Sequence, residues 1–205
     1  MKIGILGAGN IGGTLGKLWA KQGHQVYFGV RDVNSEKTQA LLAESGGNAQ
    51  AGSLQEAASF GDVVLLAVHW RNVPEVLAQV SGVLGGKILI DATNRMIPPP
   101  PDTTGSAAGD IAKEVPGAKV VKSFSTLGAN NLTRLEFGNE NASNFICGDD
   151  ADAKALVVEL SEAVGFDAVD CGPLSVAPLI ESLTKLWVQI SRNYSREIAF
   201  KLLRR

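Results

Sequence analysis

Three glycines near the start of the chain carry the clearest chemical signal, because their spacing suits the binding of a phosphate. Gly7, Gly9 and Gly12 form the pattern G-x-G-x-x-G between an apolar run at residues 2–6 and a helical pattern at residues 11–22. In that context Gly7 permits a tight turn, Gly9 lets a pyrophosphate approach the backbone, and Gly12 lets the helix lie close to the strand. The pattern predicts a dinucleotide site.

Unpaired backbone N–H groups at the start of this helix would face the phosphates. The first N–H groups of a helix have no partner within it, and the helix dipole adds positive potential there. We expect Asn10, Ile11 and Gly12 to present these groups. A glycine-rich turn without a ligand is the alternative.

The end of the second predicted strand, residues 25–29, decides which dinucleotide is favoured. An acidic residue there selects NAD through the ribose 2′-hydroxyl, whereas an arginine accommodates the 2′-phosphate of NADP. Here Val30 precedes Arg31, whose planar guanidinium suits a phosphate. Asp32 is the rival feature and keeps NAD open as the alternative. Further hydrogen-bond donors follow at Asn34, Ser35 and Lys37.

The chemistry should take place where later strands end, at the stretches AVHW (67–70), DATNR (91–95) and SFSTLGANN (123–131). None of these stretches contains a nucleophile with a base, and no His, Cys and acidic cluster suggests a metal site. His69 is a candidate contact of a nicotinamide or a substrate, and Trp70 is a candidate wall of the pocket. The alternatives are a satisfied histidine at a helix start and a core tryptophan. Polar contacts suited to an amide or ribose come from Asn94, Ser125 and Thr126.

The lack of a strong acid favours a particular kind of reaction. Hydride transfer between two bound rings depends on distance and orientation, since the cofactor carries the chemistry. Reduction of a simple carbonyl needs a proton donor. We expect Lys122 to end a strand in solvent rather than to act as that acid.

The elements that position these residues alternate between short apolar runs and helical patterns. This alternation predicts βαβ units in an α/β fold, a Rossmann-like, doubly wound and mainly parallel sheet. Strands are predicted at 2–6, 25–29, 62–68, 87–91, 119–123, 144–147 and 166–170, and helices at 11–22, 35–45, 53–59, 73–81, 106–114 and 152–164.

The last segment, residues 176–203, is predicted to be one long helix with an apolar stripe. We therefore divide the chain into an NADP-binding domain at 1–175 and a small C-terminal helical extension at 176–205. Part of the stripe is expected to pack on a second subunit in a homodimer, and packing on its own domain is the alternative. The proline-rich stretch 96–106 is expected to form a surface loop that borders the site or a partner, or a stiff connector.

Composition sets limits on the partners of the chain. Its 205 residues carry a net charge of −2, so no strong field attracts nucleic acid or anionic lipid. No apolar stretch approaches the ~20 residues that span a membrane. The first residues read as a strand without a signal peptide, and only two cysteines occur, so we expect a cytoplasmic protein with reduced thiols.

The chain resembles the NADPH-dependent oxidoreductases of the coenzyme F420 family, which couple NADP(H) to a deazaflavin. The resemblance rests on the opening glycine region at 4–32, on NFICGDD (144–150) and above all on GFDAVDCGPLSVAPLIESLTKLW (165–187). It implies a Rossmann-like domain with a small C-terminal extension, commonly dimeric. It also implies that NADP(H) meets the chain at three places. Pyrophosphate contacts are implied for Ala8, Gly9, Asn10 and Ile11, 2′-phosphate contacts for Val30 and Arg31, and nicotinamide contacts for Val68, His69, Trp70, Thr126 and Ala129.

The second substrate is less constrained by the resemblance. Family members tend to have Ile-Pro-Trp at residues 68–70 and His-Thr-Ile-Pro at residues 125–128, and this chain has Val-His-Trp and Ser-Thr-Leu-Gly there. A deazaflavin such as coenzyme F420 is therefore expected as hydride acceptor, with a flavin as a further possibility. Two alternatives are a reductase of small imines or carbonyls and a non-catalytic NADPH-binding sensor.

Overall fold

The computed structural model describes residues 1–96 and 105–205, which alternate between strands and helices. The strands are Lys2–Leu6 (β1), Gln25–Gly29 (β2), Ala49–Gly52 (β3), Val63–Leu66 (β4), Ile88–Asp91 (β5), Lys119–Lys122 (β6), Glu136–Phe137 (β7), Glu140–Asn141 (β8), Ser143–Gly148 (β9) and Asp167–Asp170 (β10). The helices are Asn10–Lys21 (α1), Glu36–Ser45 (α2), Leu54–Phe60 (α3), Val73–Val80 (α4), Ala107–Glu114 (α5), Ala151–Ala163 (α6) and Ala177–Asn193 (α7).

Eight of the strands form one sheet in the order β10-β9-β6-β5-β4-β1-β2-β3. All neighbours are parallel except β6 and β9, and β7 and β8 form a separate hairpin. The strand order reverses beside β1, whose two neighbours are β2 and β4. A crevice opens at the carboxyl ends of the strands at such a point, and ligands bind there in doubly wound folds. The predicted fold class is confirmed.

The edge strand β3 is absent from the sequence prediction. Its residues, Ala-Gln-Ala-Gly, include no β-branched or aromatic side chain, so its local preference for a strand is weak. Parallel pairing with β2, in a register that places Val26 opposite Ala49, supplies the hydrogen bonds that make it a strand. Tertiary pairing therefore decides this element.

The sheet is apolar on both faces, as expected of parallel strands covered by helices. All four residues of β4 are buried, and the core is divided into one cluster on each side of the sheet. Helix α1 comes very close to the first strand, because a Cβ atom added to Gly12 would lie 2.1 Å from the carbonyl oxygen of Gly7. This contact confirms the packing role that the spacing predicts for Gly12.

The prediction of one helix over residues 176–203 is wrong for residues 194–203. Helix α7 ends at Asn193, and the chain then turns back without regular structure. The indole of Trp187 donates a hydrogen bond to the carbonyl of Ile198 at 2.9 Å, and the N–H of Ser143 donates to the carbonyl of Phe200 at 2.9 Å. Lys201 also forms an ion pair with Asp167 at 2.8 Å. These contacts bind the tail to the domain and replace the last turns of a helix.

The apolar stripe of α7 is only partly buried. Ile180 and Trp187 face the domain, whereas Leu179 and Leu186 are 70% and 49% exposed. The homodimer and the division at residue 176 remain predictions, which sedimentation and truncation would test. Most of the proline-rich stretch at 96–106 lies outside the described residues.

Candidate functional site

The turn after β1 is shaped by backbone geometry that only glycine tolerates. Gly7 has φ +103°, and a Cβ atom there would lie 2.6 Å from the side chain of Val68. Gly9 precedes α1, which begins without any side-chain cap, so its first N–H groups remain available. A Cβ atom on Gly9 would meet no protein atom within 4 Å. The loop therefore leaves open space in front of a helix start that favours an anion.

That open space belongs to a cavity of about 980 Å³ that follows the carboxyl ends of β1, β2 and β4. This volume lies at the upper end of the range of about 300–1,000 Å³ found for small-molecule sites. The cavity is therefore large enough for an extended dinucleotide. Of the residues predicted for the site, it is lined by Gly7, Ala8, Gly9, Asn10, Ile11, Val30, Arg31, Ser35, Val68, His69 and Ala129.

Four predicted residues lie outside the cavity lining. Gly12 packs against the turn behind it, and Thr126 is buried. Trp70 lies next to His69 and stacks with Arg95, whose guanidinium carbon is 5.3 Å from the ring centre. Asn94 donates from Nδ2 to the carbonyl of Ser125 at 3.0 Å, and its Oδ1 has no hydrogen-bond partner among the described residues.

The end of β2 presents one cation to the cavity. Arg31 is exposed, lines the cavity and has no ion-pair partner in the part of the chain that the structure describes. The rival Asp32 also lines the cavity, but its carboxylate accepts the N–H of Asn34 at 2.9 Å. Its carbonyl accepts hydrogen bonds from the hydroxyls of Ser35 and Thr38. Asp32 therefore shapes the turn before α2, and Arg31 remains available for a phosphate.

The hydroxyl of Ser35 is already used within the protein, which weakens its predicted role as a contact of the cofactor. It accepts the N–H of Thr38 at 3.3 Å and so caps the start of α2. Lys37 lies on the first turn of the same helix, is exposed and lines the cavity. Lys37 is therefore better placed than Ser35 to contact a phosphate bound near Arg31.

His69 starts a short 3₁₀ turn over Trp70–Asn72 and lies on the cavity surface. Its carbonyl accepts the N–H of Asn72 at 2.8 Å, while its ring is exposed and caps no helix N–H group. The alternative of a hydrogen-bonded histidine at a helix start is therefore not what the structure shows. The ring is available for a bound ligand.

A buried charged cluster lies behind the loop that follows β5. The ammonium of Lys122 is fully buried, contacts the carboxylate of Asp91 at 3.0 Å and donates to the carbonyl of Thr93. Asp91 also accepts the N–H and hydroxyl of Thr93 at 2.8 and 2.7 Å. Glu181 of α7 completes the cluster 3.9 Å from Lys122 and accepts the N–H of Ala107 at 2.7 Å.

The expectation that Lys122 ends its strand in solvent is therefore wrong. Asp91 and Lys122 are register partners on β5 and β6, so the sheet itself places their charges together. Their hydrogen bonds hold residues 91–93, the start of the loop that carries Asn94 and Arg95. Burial raises the pKa of the Glu181 carboxyl, and the charge of Lys122 opposes that change.

Several lining residues were missed by the sequence prediction. Those on one face of α4 and the turn before it follow a helical spacing, which the helix predicted at 73–81 could have revealed. Others on α2 and α3 carry no local signal, because only the fold brings these helices to the cavity. The α4 set is Asn72, Glu75, Val76 and Gln79, and the others are Thr38, Leu41, Ser53 and Leu54.

The described residues limit the chemistry available to the site. They contain no group of three or more His, Cys or acidic side chains that could hold a metal ion. None of their helices is both long and apolar enough to pass through a lipid bilayer. Within the described part of the chain, the cavity instead combines uncapped helix amides, two cations without an ion-pair partner and an exposed imidazole, which suits a phosphorylated ligand with a reactive ring.

Comparison with known proteins gives consistent matches. The family model described as NADP oxidoreductase, coenzyme F420-dependent, matches residues 2–95. The F420-dependent NADP reductase of Methanothermobacter marburgensis is 30% identical over an alignment of 225 positions that covers 98% of each chain. The metalloreductase STEAP3 of Rattus norvegicus is 32% identical over 184 residues, and the match spans 89% of this chain but only 36% of that protein.

Solved structures agree with this result. A crystal structure of a candidate F420-dependent NADP reductase from Arthrobacter superposes with a TM-score of 0.87 at 28% identity and covers 100% of both chains. An imine reductase from Streptomyces aurantiacus has a TM-score of 0.71 at 15% identity, and 62% of its chain is covered. At that identity the second likeness concerns the fold alone.

Proposed function

Because the chain belongs to the family of coenzyme F420-dependent NADP oxidoreductases, we propose that it transfers a hydride between NADP(H) and a deazaflavin acceptor. The observation that carries the proposal is the single cavity that joins three features. These are the open helix start at Gly9, the guanidinium of Arg31, which has no ion-pair partner among the described residues, and the exposed ring of His69. They correspond to the sites of the pyrophosphate, the 2′-phosphate of the adenosine and the nicotinamide in a Rossmann-like fold.

The phosphates are the first anchor in this proposal. The amides of Asn10 and Ile11 face the pyrophosphate, and no Cβ atom at Gly9 obstructs its approach. Arg31 and Lys37 bind the 2′-phosphate, with Val30 beside the adenosine ribose. The preference for NADP over NAD follows because Asp32 is engaged in its own turn.

The nicotinamide lies beyond the ends of β4 and β5 in this proposal. Val68, His69 and Ala129, which all line the cavity, border the ring. Behind this border, the buried Oδ1 of Asn94 has no hydrogen-bond partner among the described residues and is an acceptor suited to a carboxamide N–H group, so the residues present fit the group once that atom is uncovered. Thr126 supports this wall from its buried position.

Bound NADPH would supply a hydride from its dihydronicotinamide ring. The protein's own task is to hold that ring and the acceptor at short distance and to exclude water from the space between them. A ring acceptor delocalises the incoming electron pair, so the site functions without a strong acid.

The test is oxidation of NADPH, followed by absorbance, with a panel of acceptors. We expect coenzyme F420 to be reduced faster than FMN, ferric citrate and a cyclic imine. Faster reduction of FMN or an imine would replace the deazaflavin with that acceptor. Tight NADPH binding without turnover of any acceptor would contradict an enzymatic role and favour a sensor.

A further inference from the structure

Arg95 is a buried arginine with one edge of its guanidinium unused. Only 3% of the residue is exposed, and Nη1 donates to the carboxylate of Asp110 at 2.5 Å. The guanidinium face lies over the ring of Trp70. Its Nη2 group is buried and has no hydrogen-bond partner among the described residues. A buried donor without a partner costs free energy, and such groups call for an explanation.

The position of Arg95 connects it with the acceptor end of the site. Trp70 directly follows His69, and Ala92 of the same loop as Arg95 also lines the cavity. The Ser125 hydroxyl oxygen, like Asn94 Oδ1, is buried and has no hydrogen-bond partner in the part of the chain that the structure describes. The loops after β5 and β6 thus carry three buried polar groups without a partner among the described residues, and both loops also contribute a residue to the cavity, Ala92 and Ala129.

We propose that Arg95 is a specificity-determining residue that donates Nη2–H to a ring carbonyl of the hydride acceptor. The inference rests on the proposed function and adds the chemical class that the site selects, namely a ring with a polarised carbonyl, as in a pyrimidinedione. Because Nη2 is buried in this structure, its contact with the acceptor requires a rearrangement of the atoms that cover it.

The electron balance of the reaction shows what this hydrogen bond does. The C–H bond of the dihydronicotinamide breaks, and both electrons leave with the hydrogen to form a new C–H bond on the acceptor ring. NADPH becomes NADP⁺, and the acceptor ring becomes an anion whose charge spreads to a nitrogen and a carbonyl oxygen. A proton from solvent later neutralises that anion. A hydrogen bond from a fixed donor to this carbonyl becomes stronger as negative charge develops on the oxygen, so it lowers the barrier to hydride transfer.

The fixation of Arg95 favours arginine over lysine in this role. Asp110 holds one edge of the planar fork and Trp70 supports its face, so the remaining edge points in one direction. Since Asp110 balances the charge, Arg95 acts as an oriented donor rather than as a free cation. A lysine would lose both the stacking and the second edge.

The experiment compares Arg95→Gln and Arg95→Lys with Arg196→Gln. The control is matched because Arg196 also stacks on a tryptophan, Trp187, at 5.2 Å, but is exposed. The readouts are the dissociation constants of NADPH and of oxidised coenzyme F420 in the presence of NADP⁺, the latter from its fluorescence. Turnover and the free energy of unfolding in urea complete the set.

We expect both Arg95 variants to bind the deazaflavin about tenfold more weakly or worse and to lose turnover by a similar factor. NADPH binding should stay within a factor of about two, and Arg196→Gln should match wild type. Guanidinium added to Arg95→Ala should restore part of the turnover. Full deazaflavin binding and turnover in the Arg95 variants would overturn the assignment. A loss of NADPH affinity as large as the loss of deazaflavin affinity, accompanied by a loss of stability, would overturn it as well. If wild type reduces no acceptor, the proposed function fails and this inference fails with it.

Discussion

Substitution of Gly9 by alanine separates cofactor binding from folding. Gly9 has φ −79° and ψ −161°, which alanine adopts without strain. The added methyl would meet no protein atom within 4 Å, so it would project into the cavity in front of α1. The fold should therefore accept the change, whereas a pyrophosphate that approaches the helix amides would collide with it.

The size of the effect follows from the hydrogen bonds at risk. A charge-assisted bond between a backbone N–H and a phosphate oxygen contributes about 1.5–3 kcal/mol. Loss of one such bond weakens binding by a factor of about 10–150, since about 1.4 kcal/mol corresponds to tenfold. The free energy of unfolding should rise by up to about 1 kcal/mol, because alanine restricts the unfolded chain.

The assay is a fluorescence titration with NADPH together with urea unfolding of the same preparations. Gly47→Ala serves as the control, because a Cβ atom there also meets nothing within 4 Å and the residue lies outside the cavity lining. NADPH should bind to the control as it binds to wild type. If Gly9→Ala binds NADPH with wild-type affinity, the reasoning about the phosphate loop is refuted.

Three further predictions concern charged and thiol groups of the fold. Lys122→Met should lower the free energy of unfolding by about 3–5 kcal/mol, because it leaves buried carboxylate charge unpaired. Adding Asp91→Asn should recover part of this loss. Equal stability of Lys122→Met and wild type in urea would contradict the prediction. Burial raises the pKa of the Cys147 thiol to about 12, so iodoacetamide at pH 8 should modify it only after unfolding, and peptide mapping that finds rapid labelling in the native protein would count against it. The Lys201 ammonium holds the pKa of the Asp167 carboxyl below its usual value. Lys201→Ala should therefore lower the free energy of unfolding at neutral pH, and this difference from wild type should disappear as the pH falls through the folded pKa of Asp167. A difference that does not depend on pH would refute the ion pair.

Local patterns predict most of the architecture, because parallel strands are apolar throughout and their helices are amphipathic. The glycine loop was predictable in mechanical detail, including the close contact of Gly12 with the preceding turn. The edge strand β3 and the tail after Asn193 were not, since long-range pairing forms the first and hydrogen bonds to distant groups hold the second.

Site residues that directly follow a strand could be predicted from the sequence. Those whose position depends on contacts between distant elements could not. His69 and Arg31 follow strands and lie on the cavity as expected. The burial of Lys122 depends on its register with Asp91 and on Glu181, which comes from a helix far along the chain. No window around Lys122 alone contains that information.

The central claim is that Arg31 and the start of α1 together hold a dinucleotide with a 2′-phosphate. Equilibrium titration of wild type and Arg31→Ala with NADPH and with NADH tests it most directly. We predict that wild type binds NADPH more tightly and that Arg31→Ala loses about tenfold or more in NADPH affinity, with NADH affinity nearly unchanged. Equal losses for both dinucleotides, or no binding of NADPH by wild type, would contradict the account.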